Sequence, residues 1–145
     1  MSGEKDLRAL LSGMRPELNP GRYVFTTVGG PAGSDGPAGI PSGVTPLVTV
    51  AEREGLTLVV RLEEADAAGL PYDYVAGWIT LRVHSALEAV GLTAAVAQEL
   101  ATAGVSCNVV AGFHHDHLFV PFERAAGAVA LLEDLADRSG RLPRP

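Results

Sequence analysis

The 145-residue chain carries a net charge of −6, one cysteine and 47% hydrophobic residues, enough for one typical domain or two very small ones sharing a core. The negative balance argues against a nucleic-acid partner, and no Lys/Arg cluster suits an anionic membrane. No apolar run spans a bilayer, MSGEKDLRALL lacks a signal core, and a lone cysteine excludes a disulfide framework, so a soluble cytoplasmic protein is expected.

Asp6–Leu11 reads as one or two helical turns ended near Gly13, and the NPG at Asn19–Gly21 marks a turn. Arg22–Val28 is a strand by its β-branched and aromatic content. In Gly29–Pro46, 10 of 18 residues are Gly or Pro, a density that neither helix nor central strand survives, so a long surface loop is expected. Its glycines lack the strand and helix context of a phosphate cradle. Leu47–Ala51, EREG and Leu56–Leu62 read as a hairpin, and Glu63–Ala68 as a short helix stopped by Gly69 and Pro71. Tyr72–Val83 is extended, with Ile79, Leu81 and Val83 on one greasy face and Trp78, Thr80 and Arg82 on the other.

Leu92, Val96, Leu100 and Ala103 recur at helical spacing, and Gly104 stops that helix. Ser106–Phe113 reads as a strand, His114–His117 (HHDH) as a turn and Leu118–Pro121 as a further strand. Ala125, Val129, Leu132 and Ala136 mark a last amphipathic helix. Beyond it, SGRLPRP should fray.

The order βαββα, with both helices on one face of an antiparallel sheet, is the core of a ferredoxin-like α+β fold (βαββαβ). The first half repeats this order with the glycine-rich loop in place of the first helix. Two tandem units are therefore expected: a degenerate one over residues 1–71 with the loop at 29–46, and a second over 72–138, followed by a flexible tail at 139–145. Each lacks a closing strand. Interlocked strands supply it if Tyr72–Val83 serves both units and Arg22–Val28 lends an edge to the second.

The stretches WITLRVHSALEAVGLTAA (78–95), SCNVVAG (106–112) and HDHLFVP (115–121) resemble an ACT domain, the small ligand-binding module that regulates amino-acid metabolism. They are most similar to a group of small bacterial tandem-ACT proteins of uncharacterised function. Weaker similarity, in PELNPGRYVF and EREGLTLVV, reaches back almost to the N-terminus. The resemblance implies an amino-acid site in the loop between strand and helix, with His84, Ser85, Glu88, Val90, Gly91 and Leu92 around it. Backbone donors of Gly91 and Leu92 would take the ligand carboxylate, and Glu88 or Asn108 its ammonium. The plainer alternative is a connector with Ser85 and Thr93 as local caps, since most helix N-termini bind nothing.

Three other features carry candidate chemistry. His114, His115, Asp116 and His117 invite a metal, but in an extended chain only His115 and His117 share a face, and a structural zinc needs four converging ligands. Cys107 alternates with Val109, Ala111 and Phe113 on the greasy side and is expected to be an inert thiol, while Asn108 faces the other way. Trp78, Thr80 and Arg82 suit a protein contact on an open sheet face, or packing between the two halves of the chain. The expected function is a non-enzymatic sensor without cofactor, binding a small molecule and acting through a homodimer or a partner. The rivals are a metal-dependent enzyme using His84, His115, Asp116 and His117, and an assembly module with no ligand.

Overall fold

A computed structural model describes residues 6–29 and 39–141. The chain divides into two compact units, one formed by residues up to Pro20 together with those from Gly77 onward, the other by Gly21–Ala76. Strand β1 (Pro16–Val28) leaves the first unit for the second at Gly21, and β4 (Val75–Leu81) returns at Gly77.

In the unit Gly21–Ala76, β2 (Val48–Glu52) and β3 (Gly55–Arg61) form an antiparallel hairpin around Arg53 and Glu54, and β3 pairs antiparallel with β1. The register sets Val24 opposite Val60 and Thr26 opposite Leu58. Because side chains alternate along a strand, these residues line one face, where Val24, Val28, Leu58 and Val60 meet Val44 and Ala65 in a small core. Thr26 lies on that face too, and its hydroxyl donates to the Pro71 carbonyl at 2.6 Å. Helix α2 (Leu62–Ala68) carries Glu63 and Glu64 in its first turn, where the helix dipole favours them. It ends on Gly69 in the left-handed conformation, with the Leu70 N–H returning to the Ala65 carbonyl. Of the glycine-rich loop, residues 30–38 lie outside the described residues. The part from Gly39 to Pro46 is irregular and is held by the buried Val44 and by the Thr45 N–H donating to Glu64 at 2.7 Å.

The other unit orders its strands β1-β4-β6-β5, with β5 (Asn108–Ala111) antiparallel to β6 (Asp116–Pro121). Helices α1 (Leu7–Gly13), α3 (Leu92–Thr102) and α4 (Ala125–Arg141) share one core with the strands. Ile79 and Leu81 of β4 and Leu118 and Val120 of β6 meet Leu10, Val96, Leu100 and Leu132. Gly77 lets α4 come close, since a Cβ there would lie 2.6 Å from the Ala125 Cβ. Helix α3 closes as its glycine requires, with Gly104 at φ +75° and the Val105 N–H on the Leu100 carbonyl.

Several expectations are corrected. The NPG does not interrupt β1: Gly21, at φ +104°, absorbs the irregularity. As a result Pro16–Pro20 enters the larger unit, whereas Arg22–Val28, expected there, pairs with β3. The first helix, expected with the N-terminal unit, packs into the core of the other. Ser139 and Gly140, read as a fraying tail, continue α4, because the Ser139 carbonyl accepts from Arg8 Nε and its hydroxyl donates to the Leu135 carbonyl. Residues 142–145 lie outside the described residues.

Candidate functional site

Between β4 and α3 the chain is irregular from Arg82 to Gly91. Its start is pinned by the Arg82 N–H, which donates to the Arg15 carbonyl at 3.1 Å. Ser85 is drawn to the neighbouring strand, its hydroxyl donating to Asp116 Oδ2 at 3.3 Å. A turn closed by the Ala89 N–H on the Ala86 carbonyl then leaves Leu87 70% and Val90 82% exposed. Gly91 adopts φ +103°, and a Cβ on it would stand 3.0 Å from a methyl of Leu7, so both backbone and space call for glycine.

Helix α3 begins at Leu92 with no side-chain cap. Gly91 supplies its carbonyl to the Ala95 N–H, and the preceding N–H groups of the first turn point out of the helix end with its positive dipole. Leu92 itself is buried in the core and offers only its backbone to a ligand. Ser85 and Thr93, the expected local caps, do not cap this helix.

The predicted site residues are therefore partly brought together. His84, Ser85, Glu88, Val90, Gly91 and Leu92 follow one another through the loop into α3. Asn108 stands apart. It is exposed on β5 opposite Phe119, whereas Ser85 reaches Asp116, which is opposite Ala111. Three residues along a strand are about 10 Å.

Three of the histidines are neighbours, His114 lying 6.4 Å from His115 between ring centroids, while His117 turns away. His84 and His114 are neighbours at 6.1 Å between ring centroids, and Phe113, exposed and edge-on to His114, does not join the core as its alternation suggested. His115 and His117 part company. His115 has its pKa lowered by burial first and then by the positive charges of Arg82, His114 and His84. His117 points to the other side of the sheet, where its Nδ1 accepts from Trp78 Nε1 at 3.0 Å and lies 3.2 Å from the Thr80 hydroxyl. An indole N–H only donates, so Nδ1 is unprotonated and the neutral ring carries its proton on Nε2. Burial, more than the nearby His115, lowers the pKa of His117. Among the described residues no three His, Cys, Asp or Glu side chains gather to hold a metal.

Asn19, which sequence reasoning passed over, completes this network by donating to the Trp78 carbonyl and the Thr80 hydroxyl. On the face that carries Trp78, Thr80 is 3% exposed and Phe119 is fully buried beneath the half-buried Trp78 ring. Arg82, just past the end of β4, is exposed, so the three residues expected to form an open contact surface are unequally exposed. Cys107 is half-buried against the core, and burial pushes its thiol up to about 11, which keeps it protonated and unreactive. A further feature absent from the sequence reading is an open depression of about 680 Å³ lined by Gly13, Arg15, Pro16, Glu17 and Arg82.

The models of the ACT domain match residues 2–77 and residues 74–134. The chain belongs to the ACT-domain family. A crystal structure from Vibrio cholerae, of a protein of unknown function described as a possible transport protein, is 48% identical, covers 91% of this chain and 97% of its own, and superposes with a TM-score of 0.75. The regulatory subunit of aspartate kinase from Thermus flavus, 12% identical, covers 83% of this chain and 95% of its own with a TM-score of 0.60, which shows a shared fold. An Agrobacterium tumefaciens protein is 19% identical over 85% of this chain and 89% of its own, with a TM-score of 0.56. No curated protein matches in sequence. The tandem ACT arrangement and the ferredoxin-like α+β fold expected from the sequence agree with these relatives. Among the described residues no helix is long and apolar enough to cross a membrane.

Proposed function

We propose that this ACT protein is a non-catalytic regulatory sensor that binds a small metabolite of the amino-acid class in the Ser85–Leu92 segment. The observation that supports this best is the start of α3, an N-terminus without a side-chain cap, preceded by a glycine at φ +103°. Free N–H groups and the helix dipole favour a carboxylate at such a position, and Glu88 in the same loop is of the right charge for an ammonium. Asn108 falls outside that footprint. A ligand alters output only if it binds one arrangement of the protein better than another, and a homodimer of this chain is the assembly we infer to report it.

Thermal unfolding against the twenty amino acids tests the reading. A ligand at about a hundred times its dissociation constant adds about 2.7 kcal/mol, a shift of several degrees for a chain of this size. Thr93 is exposed in the first turn of α3, so Thr93→Glu leaves the helix intact, favours its dipole and repels an anionic ligand. The expected result is a midpoint raised by one or two amino acids in the native protein and by none in Thr93→Glu. A shift that survives Thr93→Glu, or no shift at all, contradicts the reading.

A further inference from the structure

We infer that the depression beside the ends of β1 and β4 is a separate binding site for an α-amino acid with a second carboxylate, gripped by Arg15 and Arg82 with Glu17 as the partner of its ammonium. It goes beyond the loop reading: the residues, the cavity and the charge of the ligand are all different.

The construction begins in the backbone. Met14, buried against the core, anchors the link between α1 and β1, and Arg15, the next residue, is exposed. The Arg82 N–H holds the Arg15 carbonyl at 3.1 Å, so the two arginines leave adjacent backbones at the rim of one depression. Glycine at position 13 keeps the opposite rim low, with no atom within 4 Å of where a Cβ would stand. The volume of about 680 Å³ falls in the range of small-molecule sites.

The charges decide the ligand. Glu17 Oε2 lies 3.9 Å from Arg82 Nε, beyond hydrogen-bond reach, and both side chains are about half exposed, so this pair is weak and readily exchanged. Arg15 forms no ion pair among the described residues. Two guanidiniums against one carboxylate leave the depression positive in a chain whose net charge is −6, so the attraction for anions is local and not a property of the whole surface. A guanidinium fork matches a carboxylate with two parallel N–H···O bonds, and two forks match two carboxylates. A dicarboxylic amino acid carries two negative charges and one positive, the mirror of Arg15, Arg82 and Glu17. When it binds, the carboxylate displaces Glu17 from Arg82 and frees it for the ammonium.

The test is isothermal titration calorimetry of the full chain at low ionic strength with L-aspartate and L-glutamate, against succinate, L-alanine and inorganic phosphate. Saturable binding of the acidic amino acids is expected, with at least a tenfold preference over alanine, succinate and phosphate. Arg15→Ala and Arg82→Ala, exposed substitutions that leave folding intact, should each weaken it tenfold or more. Glu17→Gln should weaken aspartate yet tighten succinate, a reversal that a merely structural role would not produce. Equal binding by Arg15→Ala, equal heats for phosphate and aspartate, or no saturable heat overturns the inference. Aspartate binding lost in Arg15→Ala and kept in Thr93→Glu upholds it and leaves the loop to its own thermal test; aspartate binding kept in Arg15→Ala and lost in Thr93→Glu overturns it and assigns that ligand to the loop.

Discussion

The two units read the same plan with different materials. In the larger one, β4 is followed by a helix of eleven residues whose Leu92, Val96 and Leu100 enter the core, before the hairpin of β5 and β6. In the smaller one, β1 is followed by the glycine- and proline-rich segment, and among its described residues no helix stands between β1 and β2. Among its described residues the smaller unit has a core of six buried residues, one of them, Val44, supplied by the loop itself. The lesson concerns function as much as packing. A helix N-terminus facing the end of a strand offers backbone donors to an anion, and in this chain only the larger unit has one of useful length among the described residues.

Substitutions can break that contrast in graded fashion. The largest effect is expected from emptying the larger core at α3, which has no counterpart among the smaller unit's described residues: Leu100→Ala should cost about 2–5 kcal/mol, read as a lowered midpoint in urea. Gly77→Ala comes next, because its Cβ would meet Ala125 at 2.6 Å and push α4 off the sheet. About 1–3 kcal/mol is expected, as for other overpacked cores, again in denaturant unfolding. Gly91→Ala strains the backbone at φ +103° and crowds the flexible end of Leu7, a loss of about 1–2 kcal/mol by the same measurement.

The smallest effect is a pH dependence. The folded protein holds His117 and His115 below their ordinary value of 6.5, so the unfolded chain takes up protons first as pH falls. Stability is therefore complete above about pH 6.5 and declines as pH drops through and below it. Trp78 is the one tryptophan and donates to His117 Nδ1, so its fluorescence should change on the same acid limb, with His115 and Asp116 the ionisable groups beside that ring. His117→Gln retains an acceptor and should flatten the fluorescence titration. A titration unaltered in that variant contradicts the assigned tautomer.

Much of this architecture was legible because period and punctuation agreed. Leu92 to Leu100 at helical spacing with Gly104 behind, and the Glu63–Ala68 helix stopped by Gly69, appear within a residue or two of their expected limits. What was not legible depended on partners distant in sequence. Nothing local tells Pro20 and Gly21 to continue a strand; the pairing partners do. Ser139 looked like the start of a tail because its contact is with Arg8, at the opposite end of the chain. Phe113 alternates correctly but lies beyond the last residue of β5, where alternation no longer governs burial. The order of residues from His84 to Leu92 gave a candidate site, but that Asn108 stands apart from it is visible only with the β5–β6 register in hand. Arg15 and Glu17 drew no reading from the sequence; the Arg82 N–H on the Arg15 carbonyl is what brings Arg82 beside them.

The most direct check on the sensor reading is a nitrogen–proton correlation titration of the labelled full chain with the amino acid that gives the largest thermal shift. The account predicts that the amides of Leu92, Thr93 and Ala94 move furthest and saturate together, with Glu88 following. Movement confined to Gly13–Glu17 and Arg82, or no movement at the start of α3, would contradict it.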